Sequence, residues 1–184
     1  MCRTLLINYI TFDDIKRLGT KEFTQGRIEV AQKRSKRGST FLSHSSKDKE
    51  LLPVIIGILE NHGATVYIDK VDPRLPEVTS EETAEILRNT IHECSKFILF
   101  VSPNSKDSKW IPWELGYADG NKNSSRTAIF PAVEKHYEKS WTEQEYLGLY
   151  ERVIWGNFKD KESEWLVYNY QKNTAVRLKN WLNQ

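Results

Sequence analysis

Trp110 and Glu114 stand four residues apart in the run Ser108-Lys109-Trp110-Ile111-Pro112-Trp113-Glu114-Leu115-Gly116-Tyr117-Ala118. On a helix that spacing puts an indole and a carboxylate on neighbouring ground. At about 100° per residue, Leu115 and Ala118 fall within ~40° of Ile111, an apolar stripe suited to a core. Glu114 lies ~60° to one side of that stripe, with Trp110 and Tyr117 further round on the same side. The carboxylate is therefore expected at the rim of the buried face, between aromatic rings. An indole can stack on a planar base, a contact worth about 1–3 kcal/mol. A fixed carboxylate can stabilise positive charge developing at a reacting carbon. A boundary glutamate beside packing aromatics would leave the same pattern, so the chemistry needs a cleft.

The elements around this helix suggest one. From Thr40 the chain alternates short apolar runs with helical patterns. Thr40–Ser43 reads as a strand, and the capping-box signal Ser45-Ser46-Lys47-Asp48 opens a helix with Leu52, Ile55, Ile56 and Leu59 on one side. Pro53 belongs in its first turn. His62-Gly63 ends it, with His62 serving as a cap. Thr65–Asp69 is a second strand, and Lys70 to Val78, with its two prolines, is a projecting loop. A second capping box at Thr79 opens a helix whose inner face is Leu87, Ile91 and Cys94. Phe97–Val101 is apolar throughout, as suits a strand covered on both faces. Thr127–Val133 is a fourth strand, which Pro131 places near an edge or an end. Thr142 to Tyr150 is a capped short helix, and Arg152–Trp155 is a fifth strand. The aromatic-rich segment from Glu162 to Leu182 reads as one helix or two.

Strands alternating with helices imply an α/β fold: a flavodoxin-like, doubly wound, five-stranded parallel sheet with right-handed crossovers. Ligands bind such sheets beyond the carboxyl ends of the strands, where strand order reverses. In the flavodoxin-like order the first and third strands flank that crevice. Their loops would set Ser43, His44 and Ser45 opposite Trp110 and Glu114, as hydrogen-bond partners for a ribose or phosphate. His44 is either a catalyst or a polar wall. Asp69 either holds a ribose hydroxyl or caps a turn. Tyr117 is expected to pack, while His92 and His136 carry no assignment. No Gly-rich loop follows the first strand, which argues against a Walker or Rossmann phosphate site.

Composition bounds the rest. The chain has 184 residues, 39% hydrophobic and 28% charged, ordinary for one globular domain with an extra segment. No apolar run approaches the ~20 residues that span a bilayer. Leu5 to Ile10 is too short and interrupted for a signal peptide. Two cysteines, Cys2 and Cys94, make neither a disulfide framework nor a zinc site. Cys94 is expected as a buried thiol, and the compartment as the cytoplasm. Residues 1–38 carry nine Lys and Arg against four Asp and Glu, whereas the remainder carries eighteen against twenty-one. The sequence thus divides into a basic helical leader, 1–38, and a domain, 39–184. The basic peak at Gln32–Ser39 is a nucleic-acid or partner arm, or a solvated hinge; without interleaved aromatics it gives no support for base stacking.

Three motifs carry a family resemblance. Phe41-Leu42-Ser43-His44-Ser45-Ser46-Lys47-Asp48 resembles the first box of Toll/interleukin receptor (TIR) domains. Val66-Tyr67-Ile68-Asp69 and its loop resemble the second strand and BB loop. Phe100-Val101-Ser102-Pro103-Asn104-Ser105, then Ser108-Lys109-Trp110 and Trp113-Glu114-Leu115, resemble the third strand and αC helix. The likeness covers roughly residues 39–160, and the order and spacing of the three motifs make it specific. The chain is most similar to bacterial TIR proteins, many of which act in antiphage defence.

The resemblance implies an enzyme that cleaves the nicotinamide N-glycosidic bond of NAD, with Glu114 catalytic and Trp110 its aromatic neighbour. NAD is then the substrate, with no cofactor and no metal. Nicotinamide departs neutral, so one carboxylate stabilising an oxocarbenium-like ribose suffices. A position near a helix N-terminus favours its ionised form. Pro112 suits the first helical position, although the residue before a proline avoids the α region and could spoil the Trp110–Glu114 alignment. The outcome is hydrolysis, or cyclisation to a signalling nucleotide read by a separate effector protein. The resemblance further implies self-association through loop 70–78, which lacks the glycine that enzymatic relatives often have. Neither a membrane nor nucleic acid is an expected partner. A non-enzymatic TIR adaptor and a nucleoside deoxyribosyltransferase-like enzyme are the alternative readings.

Overall fold

The computed structural model describes residues 6–19, 26–69, 81–108, 110–122, 124–135, 145–158 and 161–184. In chain order the first half forms β1 (Leu6–Asn8), β2 (Ile10–Thr11), α1 (Phe12–Gly19), α2 (Gly26–Lys33), β3 (Thr40–Ser43), α3 (Leu52–Asn61) and β4 (Val66–Tyr67). The second half forms α4 (Glu81–Glu93), β5 (Lys96–Val101), α5 (Trp110–Lys122), β6 (Thr127–Val133), β7 (Glu151–Asn157), β8 (Glu164–Asn169), β9 (Thr174–Arg177) and α6 (Leu178–Leu182). Loop 70–78, Thr79, Cys2, His136 and the Thr142 cap lie outside the described residues.

The sheet runs β4-β3-β5-β6-β7-β8-β9. Its first five members are parallel and stand in the order expected of a flavodoxin-like core. Successive side chains on a strand point to opposite faces, and here each face has its own core. Leu42, Ile98, Phe100 and Phe130 join Ile15 of α1, Ile28 of α2, Ile55 of α3 and Trp181 of α6. Phe41, Phe97, Leu99 and Ile129 join Ile91 of α4 and Ile111, Leu115 and Ala118 of α5. The apolar stripe read from the α5 sequence is thus buried as a unit.

The sheet does not stop at five strands. The segment expected to be helical is an antiparallel hairpin, β8 on β7 and β9 on β8, closed by a five-residue helix. Its β-branched and aromatic residues suit a pleated surface. Leu166 and Val167 point into opposite cores, and Trp165 pairs directly with Trp155 across the strands, their rings 5.3 Å apart. The turn places Asn173 at φ 48°, a left-handed conformation asparagine tolerates.

The leader is not wholly helical either. β6 pairs with β7 only at Ala128 and Ile129; beyond that the two diverge. The leader fills the split, with β1 antiparallel to the end of β7 and β2 parallel to the end of β6. Pro131 falls between the last residue paired to β7 and the first paired to β2, so its missing N–H sits at an internal break rather than at an edge. Two arginines of the leader are docked: Arg27 and Arg34 both bond Glu60 on α3, the first at 2.6 Å, and Arg34 also reaches the Val66 carbonyl at 3.2 Å.

Other local expectations resolve physically. The capping signal at Ser45 opens only a 3-10 turn, Ser46–Asp48, and α3 starts at Leu52 with Pro53 in its first turn. His62 caps α3, followed by Gly63 at φ +97°. Cys94 is a buried free thiol, and burial pushes its pKa up to about 12. Among the described residues no helix is long and apolar enough to cross a membrane.

Candidate active site

β3 has β4 on one side and β5 on the other, so strand order reverses there, and the loops leaving β3 and β5 open a crevice. α5 begins at Trp110 just beyond the β5 loop, and the Ser108 hydroxyl accepts the Ile111 N–H at 3.4 Å. Pro112 lies inside this first turn, so the helix is not delayed. Trp110 and Glu114 consequently share one cavity.

That cavity, about 240 Å³, is walled by Ser43, His44, Asp69, Trp110 and Glu114. They come from three segments, the end of β3, the end of β4 and α5, and the central contact joins two of these: the Ser43 hydroxyl donates to Glu114 Oε2. Ser43 is buried at the tip of β3. Burial raises the Glu114 pKa to about 7; the Ser43 bond pulls it down, and the Asp69 charge adds to the rise. The helix N-terminus therefore does not keep this acid firmly ionised, as its position alone suggested. Desolvation outweighs the end of a helix dipole.

His44 lines the cavity with its Nδ1 at 3.2 Å from the Leu42 carbonyl. Burial holds its pKa below the usual histidine range, against smaller opposing effects of that bond, Asp48 and Asp69. With Nδ1–H donating, the neutral ring presents Nε2 as an acceptor. Ser45 is not brought to the wall; its hydroxyl accepts the Lys47 N–H at 3.4 Å and caps the 3-10 turn. Trp110 packs edge-on to Trp113 at 5.4 Å, which stacks on Tyr117 at 5.9 Å. Tyr117 packs, as expected, and is absent from the cavity wall.

The sequence reading missed one wall and one brace. Thr83, Ile86 and Leu87 of α4 also line the cavity. Ile86 is half exposed and lies off the Leu87–Ile91–Cys94 stripe, which was the available signal. The brace is Asp48, buried at 1% exposure and bonded to Ser102 and Asn104 on the β5 loop. Among the described residues no group of His, Cys, Asp and Glu could hold a metal ion.

Glu114, its aromatic neighbour Trp110 and the crevice at the strand-order reversal thus stand together. A family model described as TIR domain matches residues 40–167. The chain belongs to the TIR-domain family. It is 37% identical over 146 residues to a protein of Bacillus cereus (strain MSX-D12) provisionally named 3' cyclic ADP-D-ribose synthase ThsB', covering 78% of this chain and 75% of that one. It is also 29% identical over 96 residues to a Cytobacillus dafuensis protein provisionally named cyclic ADP-D-ribose synthase TIR2, covering 50% of this chain and 25% of that one. The matched region of the TIR domain holds both crevice loops and α5, and ends within β8.

Proposed function

We propose that this TIR domain cleaves the nicotinamide N-glycosidic bond of NAD and closes the ADP-ribose portion into a cyclic signalling nucleotide. The observation that carries the reading is the Ser43–Glu114 hydrogen bond, set beside Trp110 in the crevice. The names of the two relatives support the cyclising outcome over hydrolysis.

The cavity of about 240 Å³ suits a nucleoside-sized portion, being below the ~300–1,000 Å³ of sites that enclose whole ligands. Trp110 offers a face for the planar base, and Ser43, His44 and Asp69 offer hydrogen bonds to ribose hydroxyls. With the ribose C1′ near Glu114, the C1′–N bond breaks and its electron pair neutralises the pyridinium, so nicotinamide leaves without needing a proton. The carboxylate stabilises the oxocarbenium that remains. A hydroxyl or water attacking C1′ must then shed a proton, and an acid with pKa about 7 can take it.

We further read residues 39–184 as the catalytic domain and 1–38 as its support. An NAD substrate places the protein in the cytoplasm, and a diffusible product implies a separate effector, which suits antiphage defence. Self-association through loop 70–78 completes this reading. The test is chromatography of NAD incubated with the purified protein over a range of concentrations. Nicotinamide release with a cyclic product is expected, rising more than linearly with protein. No release at any concentration would leave the adaptor reading in its place.

A further inference from the structure

The sheet delivers two loops to the crevice, but strand pairing ends at Ser43 and Val101 and does not fix how far apart the loops stand. The loop after β3 passes through the 3-10 turn Ser46–Asp48. The loop after β5 passes through a second 3-10 turn, Pro103–Asp107, and on through Ser108 into α5. Ser43 is the last paired residue of β3, where the first loop departs, and Glu114 lies on α5, into which the second loop leads. Something must hold the two together.

Asp48 is an acid at 1% exposure, a costly placement unless it is partnered. Capping of its own turn is already done by Ser45. Its two oxygens are turned instead to the other loop, accepting Ser102 Oγ at 2.7 Å and Asn104 Nδ2 at 2.6 Å. Ser102 is fixed in turn: its N–H donates to Ser105 Oγ at 3.0 Å and its Oγ accepts the Asn104 N–H at 3.0 Å. Asp48, Ser102 and Asn104 are all absent from the cavity wall.

We propose that Asp48 is a positioning residue: it welds the β3 turn to the β5 turn and thereby sets the Ser43–Glu114 hydrogen bond. The inference rests on the reading of Glu114 as the working acid. Loosening the weld separates Ser43 from Glu114. Burial and Asp69 then raise the Glu114 pKa with less opposition, because the Ser43 bond is what pulls it down. His44 and Asp69 are the other ionisable groups of this wall; burial lowers the His44 pKa, and the Asp69 charge raises that of Glu114. A direct electrostatic effect of removing the Asp48 charge would have the opposite sign and lower the Glu114 pKa.

The experiment follows the Glu114 carboxyl by ¹³C NMR titration in the full chain, for the wild type, Asp48→Asn, Ser43→Ala and the double variant. Asp48→Asn should move the titration upward by about half a unit or more. Ser43→Ala should do the same, and Asp48→Asn should add nothing on the Ser43→Ala background. Nicotinamide release by Asp48→Asn should fall by about 10- to 100-fold, as slight misplacement of a reacting group does. If Asp48→Asn fails to fold, Asn104→Ala removes one donor, keeps the charge, and is read in the same way. An unmoved or lowered titration, or shifts that add in the double variant, would overturn the proposal. The titration needs no substrate. A wild type that releases no nicotinamide yet shows the expected shifts defeats the functional reading and leaves the weld standing.

Discussion

Ser43 and Glu114 are 71 residues apart in sequence and meet through one hydrogen bond, the hydroxyl at the tip of β3 donating to the carboxylate of α5. The contact has two sides. It orients the acid, and it partly offsets the burial that pushes the acid toward neutrality. Function and stability therefore depend on the same proton.

Replacing Glu114 by Gln keeps the size and removes the charge. Turnover of NAD should fall by at least ~100-fold, the scale of losing one electrostatic stabiliser. In the wild type, kcat/KM should rise with pH through about 7 as the carboxylate ionises. Near-normal cleavage by Glu114→Gln, read from nicotinamide release, would exclude the assigned role.

The same substitution should stabilise the protein at alkaline pH. The folded state holds the Glu114 proton more tightly than the unfolded chain, whose value is 4.5. This contribution to stability is complete below 4.5 and is lost as pH rises through about 7. Gln suffers no such loss. The Tm of Glu114→Gln should exceed that of the wild type at pH 8, by an amount equivalent to at most about 3 kcal/mol. The gap should close toward pH 4.5, and a gap independent of pH would contradict the assignment.

Trp110→Ala should act on binding. Losing the stacking face should raise KM by about 5- to 100-fold with a smaller change in kcat. Initial rates over a range of NAD concentrations separate the two. A fall confined to kcat would place the indole's role elsewhere.

Glu60→Gln tests the docking of the leader. Glu60 holds Arg27 and Arg34 together on α3. Removing its charge should cost about 1–3 kcal/mol of stability without altering nicotinamide release at low temperature. Urea titration gives the first quantity, and an unchanged midpoint would show the pairs to be idle.

The central strands and the Trp110–Glu114 pair were legible because each leaves a local trace. Phe97–Val101 is apolar throughout, and α5 repeats at helical spacing. β8 was misread because an aromatic-rich stretch such as Trp165 to Tyr170 fits either period until its cross-strand partner is known. β1 and β2 hold three and two residues, too few to show any alternation. Asp48 was invisible for a different reason: its partners lie 54 and 56 residues away, and a buried acid looks the same in sequence as an exposed one. The raised pKa of Glu114 was not legible because position on a helix can be read from spacing, whereas desolvation depends on what the fold packs around the carboxyl.

The wedge of the leader between β6 and β7 sets an order of events during synthesis. Ile10 leaves the ribosome before its pairing partner, Ala132, which is made more than a hundred residues later, and the partner of Leu6 is Asn157. Long-range pairings of this kind form late. The central strands can assemble while the leader waits, exposing the diverging ends of β6 and β7 as open edges. Until β1 and β2 return to cover them, those edges are open to mispairing with another copy.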